Sequence, residues 1–255
     1  MELGITGKRA LVLGASRGLG RAIAEGLAAE GAQVFAAARS TDKIADWSAD
    51  MPNVTPMALD LTDHASISAL AETLLADGGV DILVTNSGGP APGPAATTER
   101  AAWITQFEAM AANIFDLSAQ LLPGMRERGW GRIICITSSG VEQPIPNLAL
   151  SNGIRSAVVG WAKTLASEVA SDGVTVNVVL PGRIHTDRVD ELDAAAAKRT
   201  GKPVDEVKTA SAASIPMGRY GKPSEFADMV VFLASERASY VTGSRVRIDG
   251  GSIRS

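Results

Sequence analysis

The 255-residue sequence is poor in reactive and ligating side chains. It holds one cysteine, two histidines and two tyrosines, and aromatic residues make up only 4%. A single cysteine, Cys135, excludes an intrachain disulfide. It stands in the apolar run Ile133-Ile134-Cys135-Ile136, which predicts a buried small hydrophobe. With His64 and His185 as the only histidines and no His-x-x-x-His spacing, no metal site is expected. Basic residues are not in excess: 24 Lys and Arg stand against 28 Asp and Glu, a formal net charge of -4. That balance argues against nucleic acid or a membrane surface as a partner. No apolar run is long enough to span a bilayer, and no basic-then-apolar leader opens the chain. A cytoplasmic protein acting on small molecules is the expectation. No repeat, low-complexity tract or linker divides the sequence, so one domain over residues 1–255 is expected.

What is present is an alternation of short apolar runs with helical patterns. With 45% hydrophobic residues the chain can bury a full core. Strands are expected at 10–13, 33–38, 54–59, 81–85, 132–137, 174–180 and 244–248. Long helices are expected at 103–128 and 148–169, and a helix with proline at its start at 223–234. Residues 188–213 are helical, alanine-rich and only weakly apolar, and are read as a lid over a pocket. This order predicts an α/β fold: a single doubly wound parallel sheet, Rossmann-like, with helices on both faces.

The first unit is the most informative. An apolar strand runs into Gly14-Ala15-Ser16-Arg17-Gly18-Leu19-Gly20, after which Leu19, Ile23 and Leu27 mark one face of a helix. Glycines let backbone N–H groups approach a phosphate closely. A helix N-terminus adds unpaired donors and the positive end of a dipole. Ligands of such sheets sit beyond the carboxyl ends of the strands. The residues there are 14–20, Arg39, Asp60, 86–89, Ser138-Ser139 and 181–186.

Taken together these stretches resemble the short-chain dehydrogenase/reductase family, in particular its 3-oxoacyl-(acyl-carrier-protein) reductase type. The resemblance covers the whole chain. It makes Gly14, Ser16, Arg17, Gly18, Leu19 and Gly20 the cofactor turn and Asp60-Leu61 the adenine-contacting pair. It makes Thr85-Asn86-Ser87-Gly88 a variant of the Asn-Asn-Ala-Gly motif, so Asn86 and Gly88 join the cofactor site. The loop holding Pro181, Gly182, Ile184 and Thr186 then faces the nicotinamide amide, and Gly243 and Asp249-Gly250-Gly251 match the C-terminal signature. The resemblance also implies a homotetramer built partly on the two long helices.

The catalytic positions depart from the pattern. The family uses Asn, Ser, Tyr and Lys, with Tyr and Lys four apart on one helix. Ser138 matches the serine. The tyrosine position is Ser151 and the lysine position is Arg155, in a register fixed without gaps by the flanking residues. Counting from Trp103 or from Pro123, the asparagine position is Met110, and Asn113 lies one turn further on. An aliphatic hydroxyl is far less acidic than a phenol of pKa near 10. Arginine stays protonated, but its fork can still hold ribose hydroxyls.

Three readings follow. In the first, Ser138 and Ser151 act as hydrogen-bond donors in carbonyl reduction, and water or substrate supplies the proton. In the second, His185 or Tyr220 supplies it. In the third, the protein binds the dinucleotide without turnover, as a sensor or assembly subunit. Ser151 also reads as an N-cap, and Arg155 as a surface charge. The second strand ends Ala38-Arg39-Ser40 with no acid to hold a free ribose, so Arg39 and Arg17 favour NADP(H) over NAD(H).

Overall fold

The computed structural model describes residues 2–254; residues 1 and 255, the ends of the expected domain, lie outside the described residues. Seven strands form one sheet: β1 (Arg9–Leu13), β2 (Gln33–Ala38), β3 (Val54–Ala58), β4 (Ile82–Asn86), β5 (Gly131–Ile136), β6 (Val174–Pro181) and β7 (Arg245–Ile248). Their order is β3-β2-β1-β4-β5-β6-β7, and every pairing is parallel. The doubly wound fold is therefore as expected. The order reverses between β1 and β4, which opens a crevice beyond their carboxyl ends.

The helices are α1 (Gly18–Ala29), α2 (Thr41–Trp47), α3 (His64–Ala76), α4 (Arg100–Phe107), α5 (Asn113–Glu127), α6 (Ala149–Val169), α7 (Asp187–Thr200), α8 (Val204–Ala213) and α9 (Pro223–Leu233). They cover both faces because side chains of a strand alternate between faces. Ala10, Val12, Ile82, Val84, Ile134 and Ile136 join Ile23, Leu27, Phe226 and Val230 of α1 and α9 in one core. Leu11, Leu13, Leu83, Ile133 and Cys135 join Leu70, Leu117, Ile154 and Val158 of α3, α5 and α6 in the other. Among the described residues no helix is long and apolar enough to cross a membrane.

Two expectations need correction, and one helix was missed. The helix expected over 103–128 is two helices joined by a π turn, Glu108–Ala112. The wider i→i+5 turn inserts a residue, a distortion that hydrophobic periodicity averages over. The helical stretch over 188–213 is a hairpin: Gly201 ends α7 in the left-handed conformation, and Pro203 precedes α8. Helix α2 was not anticipated. It is short, with Ile44 as its one fully buried residue, so its periodic signal is weak.

Cys135 is fully buried, and burial pushes its thiol up to about 11. Only the thiolate is reactive. The native protein should therefore resist a disulfide reagent such as Ellman's and react stoichiometrically after denaturation. Rapid native labelling would show that β5 opens.

Candidate functional site

The carboxyl end of β1 is stitched together by short-range geometry. Gly14 adopts φ 64°. A Cβ on it would lie 2.7 Å from the Asn86 carbonyl oxygen and 2.8 Å from Asn86 Nδ2. Gly20 faces the same crowd: a Cβ there would collide with the Gly14 carbonyl oxygen and lie 2.8 Å from Asn86 Nδ2. Asn86 Nδ2 donates to the carbonyls of Leu13 (3.2 Å) and Gly14 (3.5 Å). The Ala15 carbonyl accepts from Trp47 Nε1 at 3.2 Å, and this gives α2 its purpose. The turn is thus held from β4 and α2 at once. Helix geometry leaves the N–H groups of Gly18, Leu19 and Gly20 without an intrahelical acceptor. No side chain of Arg17, the N-cap residue, fills that role. A phosphate fits this cradle on steric and electrostatic grounds.

The other expected cofactor residues lie at the carboxyl ends of β3, β4 and β6. The amide of Gly182 donates to Ile248 (2.9 Å), and a Cβ at Gly182 would come within 2.6 Å of Asp249 Cα. Thr186 ends this loop as the N-cap of α7, and its Cγ2 lies 3.6 Å from where a Cβ of Gly18 would stand. Ile184 is buried and bridges to Gly221. Asp60 accepts from the Thr62 amide (2.9 Å) and hydroxyl (2.8 Å). These bonds, with a smaller contribution from Arg39, hold its carboxyl below the usual range. Leu61 offers its carbonyl to Asn113 Nδ2 at 2.8 Å. Asn113 is thereby committed to positioning the Asp60-Leu61 turn.

Arg39 is exposed just past the end of β2. Arg17 is placed differently from the expected clamp with Arg39. Its guanidinium pairs with Asp187 (3.1 Å) and Glu191 (3.4 Å) on α7. Chiefly the hydrogen bond to Asp187 raises its pKa.

Ser138, Ser151 and Arg155 stand over the ends of β5 and β4. Ser138 Oγ accepts from the Gly140 amide at 3.0 Å, which leaves its own proton free to donate. Ser151 is the third residue of α6, not its N-cap, and is buried. Arg155 is no surface charge. It is 8% exposed and donates Nη1 to the Ile136 carbonyl (3.0 Å) and Nη2 to those of Ser87 (3.3 Å) and Gly88 (3.5 Å). Burial, and secondarily the charge of Arg188, pushes its guanidinium down to about 10. It still carries its charge at neutral pH. Met110 sits buried within the π turn, where its thioether can donate no proton.

The two alternative proton donors fare differently. Tyr220 donates its hydroxyl to Asp193 Oδ2 at 2.8 Å, and burial pushes its pKa up. It is an anchor. Asp193, fully buried on α7, also pairs with Arg183 Nη1 at 2.5 Å. His185 keeps 64% side-chain exposure and lies 3.8 Å from Asp190. Arg183, Arg188, Glu191 and Asp193 escaped the sequence reading, because their partners are remote in sequence or hidden in a polar helix.

Fold and site together define a dinucleotide-binding α/β oxidoreductase. The profile of the family described as Enoyl-(Acyl carrier protein) reductase matches residues 14–252. The 3-oxoacyl-[acyl-carrier-protein] reductase FabG of Vibrio cholerae is 40% identical over 255 residues, covering 98% of each chain. L-Sorbose reductase from Gluconobacter frateurii, solved with NADPH and L-sorbose, superposes with a TM-score of 0.93 at 33% identity over 100% of both chains. An actinorhodin polyketide ketoreductase variant solved with NADPH gives 0.91 at 32% identity, over 96% of this chain and 97% of that one. The chain belongs to the short-chain dehydrogenase/reductase family, and it resembles the 3-oxoacyl-(acyl-carrier-protein) reductases within it.

Proposed function

We propose that this protein is an NADP(H)-dependent reductase of a carbonyl compound, working in either direction, with Ser138, Ser151 and Arg155 in place of the usual Ser-Tyr-Lys set. The observation that carries it is the Gly14–Gly20 cradle, too tight for a Cβ at Gly14 or Gly20, with the two hydroxyls and a buried guanidinium at the ends of the neighbouring strands. Relatives solved with NADPH support the cofactor. The exposed Arg39 and the absence of an acid at the end of β2 support it independently. The cradle, with Ser16, Arg17 and Leu19, would hold the pyrophosphate side. Asp60, Leu61, Asn86 and Gly88 would line the adenosine side and the centre. Pro181, Gly182, Ile184 and Thr186 would meet the nicotinamide.

A bound nicotinamide supplies the hydride. Ser138 and Ser151 donate hydrogen bonds to the oxygen on which negative charge develops, and Arg155 holds ribose hydroxyls and adds positive potential. One preorganised donor of this kind is worth about 3–4 kcal/mol. No side chain among these three is a ready acid at neutral pH, so the proton comes from water or substrate. The hairpin α7–α8, over residues 188–213, closes the site of a single domain spanning 1–255. Association of several copies belongs to the same reading, since α4 has no buried residue and exposes Ile104 and Phe107.

Calorimetry on nucleotide-free protein tests the cofactor: NADPH should bind more tightly than NADH, and Arg39→Asp should shift preference toward NADH. Unchanged selectivity would remove Arg39 from the site. NADPH oxidation with ketones, quinones and 3-oxoacyl thioesters tests turnover. Ser138→Ala and Ser151→Ala should each lower kcat by about 10²–10³-fold. Binding without oxidation of any of them would favour the non-catalytic reading, a sensor or assembly subunit. The lack of a ready acid among Ser138, Ser151 and Arg155 is what favours that non-catalytic reading.

A further inference from the structure

Two guanidinium groups meet the same short loop from different elements. From α6, Arg155 donates Nη2 to the carbonyls of Ser87 and Gly88. From α7, Arg188 donates Nη2 to the Pro90 carbonyl at 3.0 Å, and lies 3.5 Å from where a Cβ on Gly89 would stand. Arg155 has no carboxylate partner among the described residues; the charge acting on it is that of Arg188. Among the described residues Arg188 is offset by Glu191 at 3.2 Å, an exposed carboxylate that it shares with Arg17.

A buried cation without a counterion costs several kcal/mol, which carbonyl dipoles offset only in part. A second cation beside it adds repulsion, and an anion between the two converts that repulsion into attraction. Arg155 has donors to spare, because its fork carries five N–H groups. Ser151 lies one turn earlier on the same face of α6. The two hydroxyl protons serve the ketone oxygen, and the charge of Arg188 added to that of Arg155 exceeds what a neutral ketone can use.

We infer that the substrate is an oxo acid, with its carboxylate held by Arg188 in the positive potential of Arg155, next to the ketone oxygen that Ser138 and Ser151 hold. This rests on the reading above that the pocket takes a carbonyl compound. It makes Arg188, which enters with the hairpin, a specificity-determining residue: the lid carries a charge that a carboxylate draws inward.

Matched pairs provide the test. Pyruvate and 3-oxobutanoate are compared with their methyl esters by kcat/KM with NADPH. Oxamate and malonate, carboxylates with no ketone, are titrated by calorimetry with and without NADPH. The acids should be favoured by about 10–100-fold, the worth of one hydrogen-bonded charge pair. Arg188→Glu, at a half-exposed position near the start of α7, should fold and weaken oxamate or malonate binding at least about tenfold. Arg155→Met should do the same if it folds. Esters turned over as well as acids, or probe affinity unchanged in Arg188→Glu, would overturn the proposal. Failure of NADPH to bind in the same titrations would overturn the reductase reading alone, and the oxamate and malonate titrations would still decide the carboxylate site.

Discussion

Gly20→Ala is expected to abolish dinucleotide binding and to destabilise the fold by about 1–3 kcal/mol, the usual cost of overpacking. The new methyl group has nowhere to go. It would meet the Gly14 carbonyl oxygen and its carbon (2.7 Å), with Asn86 Nδ2 at 2.8 Å. All three belong to backbone or to a side chain already hydrogen-bonded to the turn, so none can swing away. Relief requires α1 to move off β1, which disperses the amides that would meet a phosphate. Gly160→Ala is the control. It lies in α6 with nothing within 4 Å of a Cβ, so it should stabilise by up to about 1 kcal/mol through helix propensity. Calorimetric NADPH titration and urea denaturation of both variants check the pair. Undiminished NADPH binding by Gly20→Ala would dismiss the cradle.

Arg183→Ala is expected to cost about 3–5 kcal/mol, because it leaves a buried carboxylate without its cation. Asp193 is fully buried, and its remaining partner would be the Tyr220 hydroxyl. Asp193→Asn is expected to cost less. It removes the charge that needs compensation, while Arg183, 38% exposed, can turn to water. The double variant should therefore lose less than the sum of the two single losses. Because Asp193 roots α7 against the loop after β6, Arg183→Ala should also loosen the hairpin and raise KM. Urea denaturation and limited proteolysis within residues 188–213 check both effects. Additive losses would mean that the pair does not act as a unit.

The sequence by itself determined the class of fold, the glycine-rich turn after β1 and the pairing of Ser151 with Arg155 four residues apart. These are local or periodic properties. An apolar run reports a strand covered on both faces, and the four-residue spacing of Ser151 and Arg155 places them on one helix face whatever surrounds them. The apolar pattern around Met110 predicted a helix but not the π turn that carries it, because one inserted residue hardly disturbs an apolar stripe.

Only the tertiary structure decided what the charges do. The pattern of hydrophobic residues is silent on which cation meets which anion, since that depends on segments brought together by strand order. Arg17 reads as a phosphate ligand from its motif, yet α7 supplies Asp187 and Glu191 to it across 170 residues of chain. Tyr220 reads as a proton donor from its chemistry, yet Asp193 takes its hydrogen bond. Arg155 reads as a surface charge or a ribose ligand, and it is buried against three carbonyls with a second arginine as its charged neighbour. Burial decides how strongly a charge acts, because the same guanidinium is screened in water and poorly screened in the crevice between β4 and β5.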